Sequence, residues 1–237
     1  MMQVAKYKNI YQITMLPKIF PINCFVIEQE DSLIVIDMGV KNFTKKVADI
    51  AEATKKTVTH LLLTHAHGDH TAGVNDFRTI FPDAQIGISE RDQLLLDGDF
   101  SLKPDEVRTK INGGFPKITV HTDFTLHHGQ TIGSLTVAAT PGHTPGSVSF
   151  VDNISNAVIA GDAFQTQGGL AVSRTLKIKF PFPKIATWDY QTSINSAKRI
   201  LAYKPKILCV GHGDMLIDPL EAMADAIELA ERNMRNR

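Results

Sequence analysis

Residues 64 to 70 read Thr-His-Ala-His-Gly-Asp-His, directly after the apolar run Val58 to Leu63. No other part of the chain restricts the fold as tightly. Three histidines and an aspartate crowded at the end of a buried strand make poor core material, because each buried imidazole or carboxylate needs a polar partner. A metal ion supplies one partner for all of them. His65 and His67 stand two residues apart and point the same way from an extended segment, whereas a turn at Gly68 re-aims Asp69 and His70 at a second point nearby. The heptapeptide therefore predicts two adjacent metals at a strand end.

Two such metals need more ligands than these four, and the chain offers three more in matching contexts. His143 lies in Thr140-Pro-Gly-His-Thr-Pro-Gly, Asp162 in Ile159-Ala-Gly-Asp-Ala, and His212 in Val210-Gly-His-Gly-Asp. Each closes an expected strand and has a glycine beside it, which lets backbone approach the centre with no side chain in the way.

Periodicity supplies the frame around these sites. Asn23 to Ile27 and Leu33 to Ile36 read as a hairpin, Phe43 to Thr54 as an amphipathic helix, and Val58 to Leu63 as a buried strand. Helices follow from about Thr71 to Ile80 and from Ser89, where Ser89 and Asp92 resemble a capping box. Residues 101 to 122, with Pro104, Gly113, Gly114 and Pro116, read as an inserted surface loop with one helical turn. From Phe124 a second sheet is expected, with strands Ser134 to Ala139, Ser147 to Val151 and Ala157 to Ala160. A helix over Tyr190 to Leu201, a strand over Lys206 to Val210 and a last helix capped by Asp218, with Pro219 at its first position, complete the chain. The second half repeats the strand-then-ligand order of the first, so the expected fold is α/β (α+β): a single domain over 1–237, a four-layer αββα sandwich with two mixed sheets between helices.

Composition removes several classes of function. Lys plus Arg equals Asp plus Glu at 25 each, so the basic excess of a nucleic-acid binder is absent. Residues 1–20 carry Lys6, Lys8 and Lys18 and gather no signal-type apolar core, and no run long enough to span a bilayer occurs. The expected setting is the cytoplasm and the expected partner a small-molecule substrate, with neither nucleic acid nor membrane; nothing fixes an oligomeric state. Cys24 and Cys209 sit in apolar runs and read as core. Neither a Gly-x-Ser-x-Gly elbow nor a Walker loop is present.

The set His-x-His-x-Asp-His, Pro-Gly-His-Thr, Gly-Asp and Gly-His, from about Asn23 to Asp214, resembles the metallo-β-lactamase-fold hydrolase superfamily. The resemblance implies that His65, His67 and His143 bind one metal, that Asp69, His70 and His212 bind a second, and that Asp162 bridges them. It places Asp37, in a strand-Asp-x-Gly motif, behind the metals as an orienting group, so Asp37 and Asp69 are the carboxylates expected in the catalytic machinery. Two zinc ions are the implied cofactors, with iron or manganese the alternatives. Zinc lowers the pKa of a bound water from about 15.7 to about 7, which provides a hydroxide nucleophile at neutral pH without a protein base. Asp162 together with His70 resembles the glyoxalase II and lactonase branches more than true β-lactamases, and the substrate implied is a small ester, thioester or lactone. One helix follows His212 where glyoxalase II carries a helical domain, and no glutathione-type segment follows Asp162. The alternative is a mononuclear iron thiol or persulfide dioxygenase on the same scaffold, which needs only His65, His143 and Asp162.

Residues 163 to 188 hold Arg174, Lys177, Lys179 and Lys184 with no acid, together with Phe164, Phe180, Phe182 and the single Trp188. Because this stretch starts at Asp162, it reads as an active-site flap in which Arg174, Lys177, Lys179, Lys184 and Trp188 contact an anionic acyl substrate.

Overall fold

The computed structural model describes residues 2–119 and 121–236, so Val120 of the expected inserted loop lies outside the described residues. Seven strands form the first sheet in sequence order: β1 (Met2–Tyr7), β2 (Ile10–Met15), β3 (Ile22–Glu28), β4 (Ser32–Ile36), β5 (Thr57–Leu62), β6 (Gln85–Ser89) and β7 (Phe124–Leu126). Strands β1 to β4 meander antiparallel, and β4 to β7 run parallel. Parallel neighbours need crossovers. These are α1 (Phe43–Thr54), the pair α2 (Gly68–Thr71) and α3 (Val74–Ile80), and α4 (Glu90–Leu96) with the long segment after it.

The second sheet contains β8 (Thr131–Ile132), β9 (Leu135–Ala139), β10 (Val148–Asp152) and β11 (Ala157–Ile159). A small ribbon of β12 (Phe164–Gln165) and β13 (Ala171–Val172) leads through α5 (Phe182–Ala186) and α6 (Tyr190–Ala202) to β14 (Ile207–Cys209), β15 (Leu216–Ile217) and α7 (Leu220–Arg235). β14 returns beside β11 in parallel. The order β15-β14-β11-β10-β9-β8 thus repeats the antiparallel-then-parallel construction of the first sheet.

Strand alternation divides the apolar side chains into layers. Phe25, Ile27, Ile34, Ile36 and Leu62 of the first sheet meet Leu135, Val137, Val148, Phe150, Ile159 and Ile207 of the second in the central core. Their strand neighbours Cys24, Val26, Leu33 and Val35 face outward under Phe43, Val47, Val74 and Phe77 of α1 and α3. Val158 and Leu208 face outward under Ile194, Ala197, Met223 and Ile227 of α6 and α7. The four-layer αββα architecture stands. Both cysteines are buried and unpaired, and burial pushes both thiols up, out of reach of physiological ionisation.

The N-terminal residues form the hairpin β1–β2, whose first strand is an exposed edge. Three local expectations are corrected. Phe124 to Leu126 completes the first sheet rather than starting the second. Helix α7 begins at Leu220 after Pro219 and receives no side-chain cap from Asp218. The segment after α4 is not simply surface, since Ile111 is buried in the core beneath it. Among the described residues no helix is long and apolar enough to cross a membrane.

Candidate metal centre

The strands deliver the expected residues to one edge of the sandwich. Asp37 follows β4, residues 64–70 follow β5, His143 follows β9, Asp162 sits on a short 3-10 turn after β11, and His212 follows β14. Their ligand atoms form three overlapping groups, His65–His67–His143, His65–His70–Asp162 and Asp69–His70–His212, with all atoms of a group within 4.8 Å of one another. All seven residues predicted as metal ligands therefore converge. Close backbone approach makes this possible: a Cβ on Gly211 would lie 2.2 Å from Asp162 Oδ1 and 2.6 Å from the His70 ring.

Hydrogen bonds assign a tautomer to each ring. Thr64 Oγ1 donates to Asp37 Oδ2 at 2.8 Å and lies 3.0 Å from His65 Nδ1, so that nitrogen is the donor to it and Nε2 is left bare. His70 Nδ1 donates to Asp37 Oδ2 at 2.7 Å. Ser173 Oγ donates to the Asp162 carbonyl and Thr187 Oγ1 to the Pro183 carbonyl, so both hydroxyl oxygens accept from His143 Nδ1, at 3.0 and 3.2 Å. His212 Nδ1 donates to the Pro21 carbonyl at 2.6 Å. His67 is turned the other way and donates from Nε2 to the Asn112 carbonyl at 2.9 Å.

The lone pairs of two rings are consequently aimed at each other. His67 Nδ1 and His143 Nε2 are 2.9 Å apart, both with their protons committed elsewhere. His143 Nε2 and His212 Nε2 lie 3.3 and 3.1 Å from Asp162 Oδ2, and His212 Nε2 is also 3.3 Å from Asp69 Oδ2. Buried His65 Nε2 has no hydrogen-bond partner, and His70 Nε2 and Asp162 Oδ1 have only each other, at 3.3 Å and outside hydrogen-bond geometry. Such an array is unstable alone and is satisfied by cations. The residues fit a pair of divalent metals held by imidazole and carboxylate.

Electrostatics divide the rings into two sets. Burial holds His65 and His67 below the usual imidazole range and pulls His143 down to about 3, the neutral state a metal ligand needs. Burial also pulls on His212, but Asp162 and Asp69 outweigh it and hold that ring up at about 10. His70 is raised in the same way by Asp162 and Asp37 against burial. In return His212, His70 and His143 hold Asp162 well below the carboxylate range despite its burial.

A cavity of about 380 Å³ opens at these atoms, lined by His67, Asp69, His143, Asp162 and His212 together with the apolar Phe20, Phe182, Pro183 and Ile185. Asn112, Gly113 and Gly114 also line it. The 163–188 segment enters this cavity through its apolar residues. Arg174, Lys177, Lys179 and Lys184 are not among the lining side chains; Arg174 instead donates to the Trp188 carbonyl at 3.3 Å. Trp188 is buried in the outer core and donates from its indole to the Thr109 carbonyl at 3.2 Å. Sequence reasoning missed Thr64, Ser173 and Thr187, and the carbonyls of Pro21 and Asn112.

Comparison with known proteins agrees with this geometry. The family model described as the metallo-beta-lactamase superfamily matches residues 17–212. An uncharacterized protein of Bacillus subtilis, YobT, is 44% identical over 98% of this chain and 100% of its own length. The hydroxyacylglutathione hydrolase GloC of Haemophilus influenzae is 27% identical, over 82% of this chain and 86% of its own. Among solved structures, TTHA1623 in a di-iron-bound form superposes with a TM-score of 0.66 at 23% identity, covering 89% of this chain and 96% of that one.

Proposed function

The chain belongs to the metallo-beta-lactamase superfamily, and on that premise we propose that it is a dinuclear zinc hydrolase of small carbonyl esters, thioesters or lactones. The facing lone pairs carry this reading. His65, His67 and His143 would hold one metal, Asp69, His70 and His212 the other, and Asp162 would join the two. Bound there, the metals supply Lewis acidity and a water ionised near neutral pH.

The protein's own groups do the rest. Asp37, Thr64, Ser173, Thr187 and the Pro21 and Asn112 carbonyls fix which nitrogen each imidazole presents. Phe20, Phe182, Pro183 and Ile185 offer an apolar surface that favours an uncharged acyl group, since among the described residues no lysine or arginine lines the cavity. The single-iron dioxygenase reading leaves the Asp69–His70–His212 group without a role, whereas in a hydrolase that group would hold a second metal, which would supply Lewis acidity for the oxyanion or the leaving group.

Elemental analysis of the purified protein should show two zinc ions per chain, and iron or a single equivalent overturns the metal assignment. A panel of thioesters, lactones, aryl esters, phosphodiesters and β-lactams should show turnover confined to the first three classes. Asp162→Ala and His67→Ala should reduce that turnover to background with the fold retained. Exclusive phosphodiester cleavage overturns the substrate class.

A further inference from the structure

Asp92 stands at the third position of α4, where a capping box would send its side chain back to the backbone N–H of Ser89. Ser89 does its half, accepting from the Asp92 N–H at 3.2 Å. The Asp92 carboxylate goes elsewhere. Its Oδ2 accepts from the Ala66 N–H at 2.8 Å and from Thr144 Oγ1 at 2.7 Å, while Oδ1 accepts from the Gly146 N–H at 2.8 Å. Ala66 lies between His65 and His67; Thr144 and Gly146 follow His143. One wholly buried carboxylate thus joins the two loops that carry all three histidines of the first group.

We propose that Asp92 is a positioning residue of the metal centre, a clasp that fixes the His65–His67 loop against the His143 loop and so sets the spacing of the first metal's three ligands. This rests on reading His65, His67 and His143 as one metal site. The two loops come from different sheets, after β5 and after β9, and β5 and β9 are not paired. A backbone bond from the Val148 N–H to the Thr64 carbonyl at 2.9 Å ties the base of one to the end of the other; beside the histidines themselves, Asp92 makes hydrogen bonds to both. The rest of the second loop is braced internally, by Thr144 N–H to Ser147 Oγ at 2.9 Å and Gly142 N–H to the Thr144 carbonyl at 2.9 Å. The clasp therefore moves a stiff unit. Every neighbour named here donates, so only a carboxylate with acceptors on both oxygens satisfies them. Burial pushes the group up to about 6, against the pull of Thr144, Ala66 and Gly146.

Asp92→Asn provides the test, because its amide turns an N–H toward either the Ala66 and Thr144 donors or the Gly146 donor, releasing one loop from the other. The control is Ser89→Ala, which loosens the same helix start by removing a hydroxyl that lies against Gly146 but hydrogen-bonds to neither loop. Zinc-loaded wild type, Asp92→Asn and Ser89→Ala would be dialysed against graded chelator and the retained metal counted. Amide hydrogen exchange would be followed on the metal-free proteins. Expected are a fall of at least tenfold in the affinity of one zinc in Asp92→Asn, the other zinc holding near the wild-type value, and faster exchange at Ala66 or Gly146. Ser89→Ala should lower Tm and keep both zinc ions. Equal weakening of both sites, or unchanged affinity and exchange, overturns the clasp and leaves the metal assignment standing. Wild-type protein that retains no zinc overturns the metal assignment and the clasp with it.

Discussion

Each imidazole of the centre has one nitrogen committed to an acceptor and one bare, and the commitment decides which face of the ring reaches a metal. Asp37 is the busiest of these acceptors. It takes the Thr64 N–H at 2.8 Å, the Thr64 hydroxyl and His70 Nδ1, and it does so from a left-handed backbone at φ 62. That conformation is unfavourable for most residues but tolerated by Asp and Asn. Asp37→Asn therefore keeps the backbone while presenting an N–H where an acceptor is required. Its zinc affinity in a chelator competition should drop about 10- to 100-fold, with the Tm of the metal-free protein little changed. The seven converging residues were legible because His and Asp crowded at strand ends have few other uses, and Asp37 was legible through the family resemblance. Thr64, Ser173 and Thr187 were not, because hydroxyl residues are common everywhere, and the Pro21 and Asn112 carbonyls leave no trace in side-chain identity at all.

Elements with a buried stripe were readable, and those whose role is to lean on another element were not. Helices α1 and α6 and strands β3 to β5 carry clean periodicity and appear within a residue or two of expectation. β1 alternates weakly because it is an exposed edge, so its sequence carries no buried stripe to read. The segment after α4 looked like surface because its glycines and prolines signal turns, yet two of its carbonyls reach the centre: Asn112 accepts from His67 and Gly114 from the Gly68 N–H at 2.8 Å. Gly113 sits between them at φ +118, and a Cβ there would lie 2.0 Å from His67 Nε2. Gly113→Ala should strain the backbone, displace the Asn112 carbonyl from His67 and lower kcat/KM at least tenfold on whichever ester, thioester or lactone is turned over. Gly114→Ala, whose added Cβ meets nothing within 4 Å, should be neutral. Equal behaviour of the two variants would show this segment to be passive.

At the scale of the molecule, stability and chemistry are carried by different layers. Neither sheet holds a complete ligand set: residues 65–70 follow a strand of the first, and His143, Asp162 and His212 follow strands of the second. The centre forms only when the sheets pack, and what packs them is the apolar layer around Phe25, Leu62, Val137 and Phe150, all essentially without solvent exposure. Phe150 pairs across β10 to Val137 on one side and Ile159 on the other, so its removal leaves a hole in the middle of that layer. Phe150→Ala should cost about 3–5 kcal/mol, a fall of roughly 10 °C in Tm for a chain of this size. Metals bound only by the folded protein raise Tm by mass action, in proportion to their affinity and concentration. If core and centre are as separate as the layers imply, saturating zinc should raise the Tm of Phe150→Ala by about as much as that of the wild type, and the zinc affinity of the folded variant should be unchanged. Thermal scans with and without zinc, together with a chelator competition well below Tm, check both. A variant that has lost zinc affinity as well as Tm would show that the sheet-to-sheet spacing itself sets the geometry of the ligands.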